Sequence, residues 1–204
     1  MKRIVQYLLS TKRGKDEYKG LLFKVDKSKN IIVYVDASFA GEWNKSWSND
    51  PTSVFSRTGF MVTYAGCPIL WTSTLQSEIS LSTTEAEYIA LSHSMRETIP
   101  MITLLEELKK VLPIDTEIPK LHCTIFEDNN ACIELVKCPK MRPRTKHIGL
   151  KYHHFRSKVK NKTISIQYID TKHQIADIFT KSLPEAQFVY LRGLLNGGAK
   201  YWIP

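Results

Sequence analysis

A chain of 204 residues, 43% hydrophobic and 10% aromatic, is long and apolar enough to bury one core, which excludes a disordered tail or low-complexity linker. Its 29 Lys and Arg against 20 Asp and Glu give a formal charge of +9, a balance that favours a polyanionic partner through counterion release. No apolar run reaches the roughly 20 residues of a membrane span. The four cysteines, Cys67, Cys123, Cys132 and Cys138, form no C-x-x-C pair or zinc spacing. A soluble intracellular protein with reduced cysteines is expected, with no membrane partner.

Taken along the chain, Ile4, Val5, Leu8 and Leu9 stand at helical spacing, followed by a polar turn over 12–20. The run Ile31-Ile32-Val33-Tyr34-Val35 predicts a strand that stops at Asp36. A loop rich in Trp, Asn and Ser covers 42–56. Strands over 59–64 and 68–72 flank Ala65-Gly66, a natural hairpin turn. A long helix follows over 83–112, capped by Ser82, Thr83 or Thr84, with Tyr88, Leu91, Met95, Ile102 and Leu105 as its buried stripe and Pro100 as a kink or break. A fourth strand over 121–126, a helix over 129–137, a basic amphipathic helix over 147–160, a fifth strand over 163–169 and a final helix from about Gln174, restarting after Pro184, complete the order. Early hairpins pair antiparallel and helical crossovers pair parallel. The fold class is therefore α/β, a five-stranded mixed sheet with its first three strands antiparallel and helices on both faces.

Four acids fall where such a sheet concentrates function: Asp36 and Asp128 at the ends of the first and fourth strands, and Glu87 and Asp177 in the first turns of the helices that follow. Singly, each suits a turn or the positive end of a helix dipole. Together they repel one another at short range, and divalent cations with hard oxygen preferences relieve that repulsion. Glu85 competes with Glu87, but residues two apart on a helix point roughly 200° apart, so only one faces the site, and Glu87 is the choice.

The string Tyr34-Val35-Asp36-Ala37-Ser38-Phe39-Ala40-Gly41 resembles the first-strand motif of the ribonuclease H domain of copia-type LTR retrotransposon Pol polyproteins. The resemblance continues in Ser56-Arg57-Thr58-Gly59-Phe60, in Leu81 to Leu91 around Glu85-Ala86-Glu87-Tyr88-Ile89-Ala90, in Glu127-Asp128-Asn129-Asn130-Ala131, in Arg144-Thr145-Lys146-His147-Ile148 and in Gln174 to Lys181. It covers nearly all of 31–192. Residues 1–30 resemble the end of the segment joining a reverse transcriptase to this domain, and 193–204 form an atypical tail. The resemblance implies a ribonuclease H-like fold in which Asp36, Glu87, Asp128 and Asp177 are catalytic and bind two Mg²⁺, or Mn²⁺ in their place, with Asp36 as the ligand shared by both ions. It further implies hydrolysis of the RNA strand of an RNA–DNA hybrid to 3′-hydroxyl and 5′-phosphate ends, alongside the reverse transcriptase domain of the same polyprotein. The setting would be a cytoplasmic virus-like particle or the nucleus. The wider family often carries a mobile His ahead of the last Asp. Here that position falls near Gln167; His173 is the nearest substitute, with a place in the flank of the helix that follows as its competing role.

Hybrid contacts are expected from Ser82, Thr83, Asn129 and Asn130, with capping as their competing role. They are also expected from the basic residues Arg142, Arg144, Lys146 and His147, flanked by Lys137, Lys140 and Lys151. Trp43 and Trp47 read as loop packing, with stacking on sugar or base as the alternative. An integrase would want its acids in a different order, and a 3′–5′ exonuclease would show other strings. The rival from another class is a decayed or domesticated retroelement copy that only binds nucleic acid or serves as a structural module.

Overall fold

The computed structural model describes residues 4–7, 9, 21, 23–41, 43, 50–112, 121–137 and 155–196. Strands β1 (Ile31–Ser38), β2 (Arg57–Tyr64), β3 (Cys67–Leu75), β4 (Cys123–Glu127) and β5 (Ile164–Tyr168) form one sheet in the order β3-β2-β1-β4-β5. The β1–β2 and β2–β3 pairs are antiparallel, while β1–β4 and β4–β5 are parallel. Among the described residues, the α-helices that follow β3 are α1 (Thr83–Val111), α2 (Asn130–Lys137), α3 (Arg156–Lys160), α4 (Asp177–Thr180) and α5 (Glu185–Leu195). This is the α/β mixed sheet that the sequence leads one to expect.

The period-two alternation of β1 divides the core between two faces. Ile31, Val33, Val35 and Ala37 pack with Phe60 and Val62 against Tyr88, Leu91 and Met95 of α1. Tyr34 and Met61 point the other way and meet Ile175 and Ala176, just ahead of α4. Helices thus cover both faces. Between β2 and β3, Ala65 (φ 50°) and Gly66 (φ 78°) both lie in the left-handed region. That is the backbone a two-residue hairpin demands, so the Ala-Gly reading of the turn holds.

Several boundaries differ from the sequence expectation. β1 runs on through Asp36 to Ser38, because β2 supplies partners down to the Ser38–Arg57 pair; a charged residue does not end a strand whose ladder continues. Helix α1 passes through Pro100 without splitting. The last helical segment begins at Asp177 and not near Gln174, since a 3-10 turn over Thr171–His173 precedes it and Gln174 is extended. It then restarts after Pro184 as expected. Residues 4–7 and 9 are helical, with Ile4, Val5 and Leu9 more than half exposed. Of the basic helix expected over 147–160, only 155–160 falls among the described residues, helical over Arg156–Lys160. Cys67, Cys123 and Cys132 are buried and free, whereas Cys138 lies outside the described residues.

Candidate metal centre at the fork between β1 and β4

The parallel ladder between β1 and β4 stops at the Tyr34–Phe126 pair. Beyond it the two strands part, and carbonyl oxygens that would have faced a ladder partner are left to other donors. The buried amide of Gln174 supplies them: its Nε2 donates to Val35 O at 2.9 Å and to Phe126 O at 3.3 Å. One side chain thus clips both strands at the point where they diverge and sets the segment leading into α4 against the sheet. The mouth so formed is the end of the sheet at which open α/β folds bind ligands.

Into this mouth the sequence places five carboxylates. Asp36 and Asp177 are each 1% exposed, Glu87 is 4% exposed and Glu127 is fully buried, while Asp128 is half-buried. One oxygen from each of Asp36, Asp128 and Asp177 lies within 4.8 Å of the others, and Glu87, Glu127 and Asp128 meet the same condition. The expected quartet is therefore gathered as two overlapping groups. Strand parity explains the division. Asp36 shares its side of β1 with Tyr34, facing α4, whereas Glu127 shares its side of β4 with Cys123 and Ile125, facing α1. Asp128, just past the strand end, is common to both groups.

Local structure decides between the two glutamates of α1. Ser82 caps the helix, its Oγ accepting from Glu85 N–H at 3.2 Å, and Glu85 Oε2 accepts from Leu81 N–H at 2.8 Å. Glu85 is thereby engaged in a reciprocal cap, and Glu87 is the one that turns to the other acids. The start of α1 is fixed from below by buried Gln76, whose Nε2 donates to Thr58 Oγ1 at 3.1 Å and to Ala86 O at 2.9 Å.

Lys181, one turn after Asp177, sets its ammonium 2.9 Å from Asp177 Oδ1 and 3.4 Å from Asp36 Oδ1. Thr180 Oγ1 donates to Asp36 Oδ2. Sequence reasoning assigned no role to Lys181, Thr180 or Glu127. The available signals were the i,i+4 spacing of Asp177 and Lys181, and the alternation that buries Cys123 and Ile125 and so must bury Glu127.

The electrostatics are those of a site short of positive charge. Burial raises the Asp177 carboxyl to about 7, with the charge of Asp36 adding to the effect. Burial likewise pushes Glu87 and Glu127 well above the usual carboxylate range, reinforced for Glu87 by Glu127, Asp36 and Asp128. Asp36 is raised by burial, against the pull of Lys181 and Thr180. Burial depresses the Lys181 ammonium, but Asp36 and Asp177 outweigh it and leave its pKa raised. Glu87 Oε2 and Glu127 Oε2 are buried without a hydrogen-bond partner among the described residues. Unsatisfied carboxylate oxygens around a shared Asp fit a hard divalent cation, which takes oxygen ligands and removes the repulsion.

The remaining expected contacts divide. Thr83 and Asn130 are exposed, at the starts of α1 and α2. Ser82 and Asn129 are capping residues, Asn129 Oδ1 accepting from Cys132 N–H at 3.1 Å. His173 is exposed and its Nδ1 is hydrogen-bonded with Tyr190 Oη at 2.7 Å. Arg142, Arg144, Lys146 and His147 lie outside the described residues, as does Trp47. Trp43 is 54% exposed, and its neighbours at 42 and 44–49 lie outside the described residues.

Close approach of α4 to the sheet depends on Gly59, which pairs with Asp36 across the β1–β2 ladder. A Cβ there would stand 2.6 Å from Thr180 Cγ2, 2.8 Å from Phe179 Cβ and 3.1 Å from Ala176 O. Gly59→Ala must therefore push α4 outward. Its expected cost is about 1–3 kcal/mol, read as a lower urea midpoint at an unchanged slope. A midpoint equal to that of the parent would show that α4 is not held there.

No family model matches the chain. It is 32% identical over 163 residues to the "Retrovirus-related Pol polyprotein from transposon TNT 1-94" of Nicotiana tabacum, an alignment covering 80% of this chain and 11% of that protein. It is 30% identical over 188 residues to the "Retrovirus-related Pol polyprotein from transposon RE1" of Arabidopsis thaliana, covering 92% of this chain and 12% of that protein. The chain thus spans only a small part of these relatives' length. Among solved structures, that of LC11-RNase H1 isolated from compost aligns with a TM-score of 0.49 and 15% identity, covering 74% of this chain and 92% of that one.

Proposed function

The chain belongs to the Pol polyproteins of copia-type retrotransposons, as a homologue of one segment of them, and from that premise we propose that it hydrolyses the RNA strand of RNA–DNA hybrids endonucleolytically in the service of reverse transcription. The observation that carries this reading is the convergence of Asp36, Glu87, Asp128 and Asp177 at one sheet mouth, where Glu87 Oε2 and Glu127 Oε2 have no hydrogen-bond partner among the described residues. Two Mg²⁺ ions, or Mn²⁺, held by these residues would supply an activated water and charge neutralisation for in-line displacement at phosphorus, leaving a 3′-hydroxyl and a 5′-phosphate.

The chain's own residues supply position and charge. Asp36 and Asp177 hold one side of the mouth and Glu87 the other, and Asp128 faces both. Lys181 balances Asp36 and Asp177, and Gln174 keeps β1 and β4 at a fixed opening. Thr83 and Asn130, exposed and close in sequence to Glu87 and Asp128, would meet sugar and backbone, including the 2′-hydroxyl that tells RNA from DNA. Arg142, Arg144, Lys146 and His147 would hold phosphates, contacts that position without reading sequence. The reverse transcriptase domain of the same polyprotein is the proposed neighbour, within an intracellular particle.

The test is incubation of a labelled hybrid with the protein and Mg²⁺, beside a chelated sample and Asp128→Asn. Cleavage of the RNA strand alone, lost on chelation and in the variant, is the expected result. Binding of the hybrid with no cut by the parent chain would overturn the proposal in favour of a binding-only module.

A further inference from the structure

We propose that Glu127 is itself a cation ligand, forming with Glu87 and Asp128 a seat on the α1 side of the fork, next to the seat made by Asp36, Asp128 and Asp177. The inference rests on the metal-dependent reading above and goes beyond the quartet that the motifs imply.

Three observations carry it. Glu127 is fully buried, and the parity of β4 leaves its side chain no exit to solvent, since Cys123 and Ile125 on the same side are core residues. Its two oxygens have different fates: Oε1 accepts from Asn129 N–H at 3.1 Å, while Oε2 has no hydrogen-bond partner among the described residues. Glu87 Oε2 is in the same position, and the two glutamates bring ligand oxygens within 4.8 Å of each other and of Asp128. Capping of Asn129 explains Oε1 only, and a neutral glutamine would do that work without setting a further carboxylate among like charges. A buried carboxylate oxygen beside two others is what a hard cation requires: several anionic oxygens at short range in a site with little water.

The test uses the whole chain and reads binding directly. Mn²⁺ affinity and stoichiometry are measured by electron paramagnetic resonance for the parent protein and for Glu127→Gln, which keeps the acceptor for Asn129 N–H. The expected result is a Mn²⁺ affinity at least about tenfold weaker in the variant, the scale reported when groups around a metal are altered. A second variant, Glu127→Cys, replaces a hard ligand by a soft one and should give a thiolate-to-metal ultraviolet band on addition of Cd²⁺, above the background of the parent. Equal Mn²⁺ binding by parent and Glu127→Gln, with no new band from Glu127→Cys, overturns the inference and leaves the proposed function standing. A parent chain that binds no Mn²⁺ overturns both.

Discussion

Asp36→Asn is expected to lower hybrid cleavage about a thousandfold, which is about 4 kcal/mol of lost transition-state stabilisation, while raising the melting temperature of the metal-free protein. The two effects share one cause. Asp36 is 1% exposed and lies within reach of Asp128 and Asp177. Burial outweighs the help of Lys181 and Thr180, so the charged form is disfavoured in the folded chain. An asparagine of the same shape keeps an acceptor for Thr180 and removes the repulsion, at the expense of a cation ligand. Cleavage kinetics and thermal melts on the same preparation check both halves. An inactive variant that melts below the parent would mean that Asp36 serves chiefly to hold the fold, and a fully active one would remove it from the site.

The second large effect is the dependence of stability on pH. Asp177 has a folded-state pKa of about 7 against an ordinary 3.8, and Asp36, Glu87 and Glu127 are shifted in the same direction by burial and mutual repulsion. A carboxyl whose pKa is raised by folding binds its proton more tightly in the native state than in the unfolded one. Between the unfolded and folded values the native chain carries more protons, so stability falls as pH rises. The metal-free protein should accordingly melt roughly 5 °C or more higher near pH 5.5 than near pH 8. Asp26 and Asp50 are shifted the opposite way by local hydrogen bonds, but their window lies below their ordinary value; His93, lowered by burial, opposes the trend only below pH 6.5 and is one group against four. Divalent cation should invert the picture. A cation at about 100 times its dissociation constant adds about 2.7 kcal/mol, and that gain should grow with pH as protons cease to compete for the oxygens. Thermal melts across pH with chelator and with Mg²⁺ decide the matter. A metal-free curve that is flat or rises with pH would show that these carboxyls are not under the strain described.

Much of this was legible in the sequence because it is local or periodic. The alternation of Ile31, Val33 and Val35 sets the faces of β1, Ala65-Gly66 sets the hairpin, and Ser82 with Glu85 sets the start of α1. The order of hairpins and crossovers then yields the mixed sheet. What the sequence hid depends on partners distant in the chain. Asp36 reads as the end of a strand until the β2 ladder is present to carry it to Ser38. Glu127 falls just past the expected strand over 121–126, and only following the parity of Cys123 and Ile125 one step further buries it. Gln174 reads as a helix start, whereas its amide is committed to two carbonyls of strands that lie 139 and 48 residues away. No local rule assigns that bond, nor the meeting of Lys181 with Asp36 across 145 residues.

The Gln174 clip also has a consequence for how the chain acquires its chemistry during synthesis. Both strands it joins leave the ribosome well before it does, so a nascent or prematurely terminated chain ending ahead of residue 174 can pair β1 with β4 yet has nothing to fasten their diverging ends. Such a product lacks Asp177, and in addition its surviving acids sit on an unfastened edge. Competence for cation chemistry should therefore appear late and all at once, with the emergence of the C-terminal segment, and not build up in proportion to the length translated.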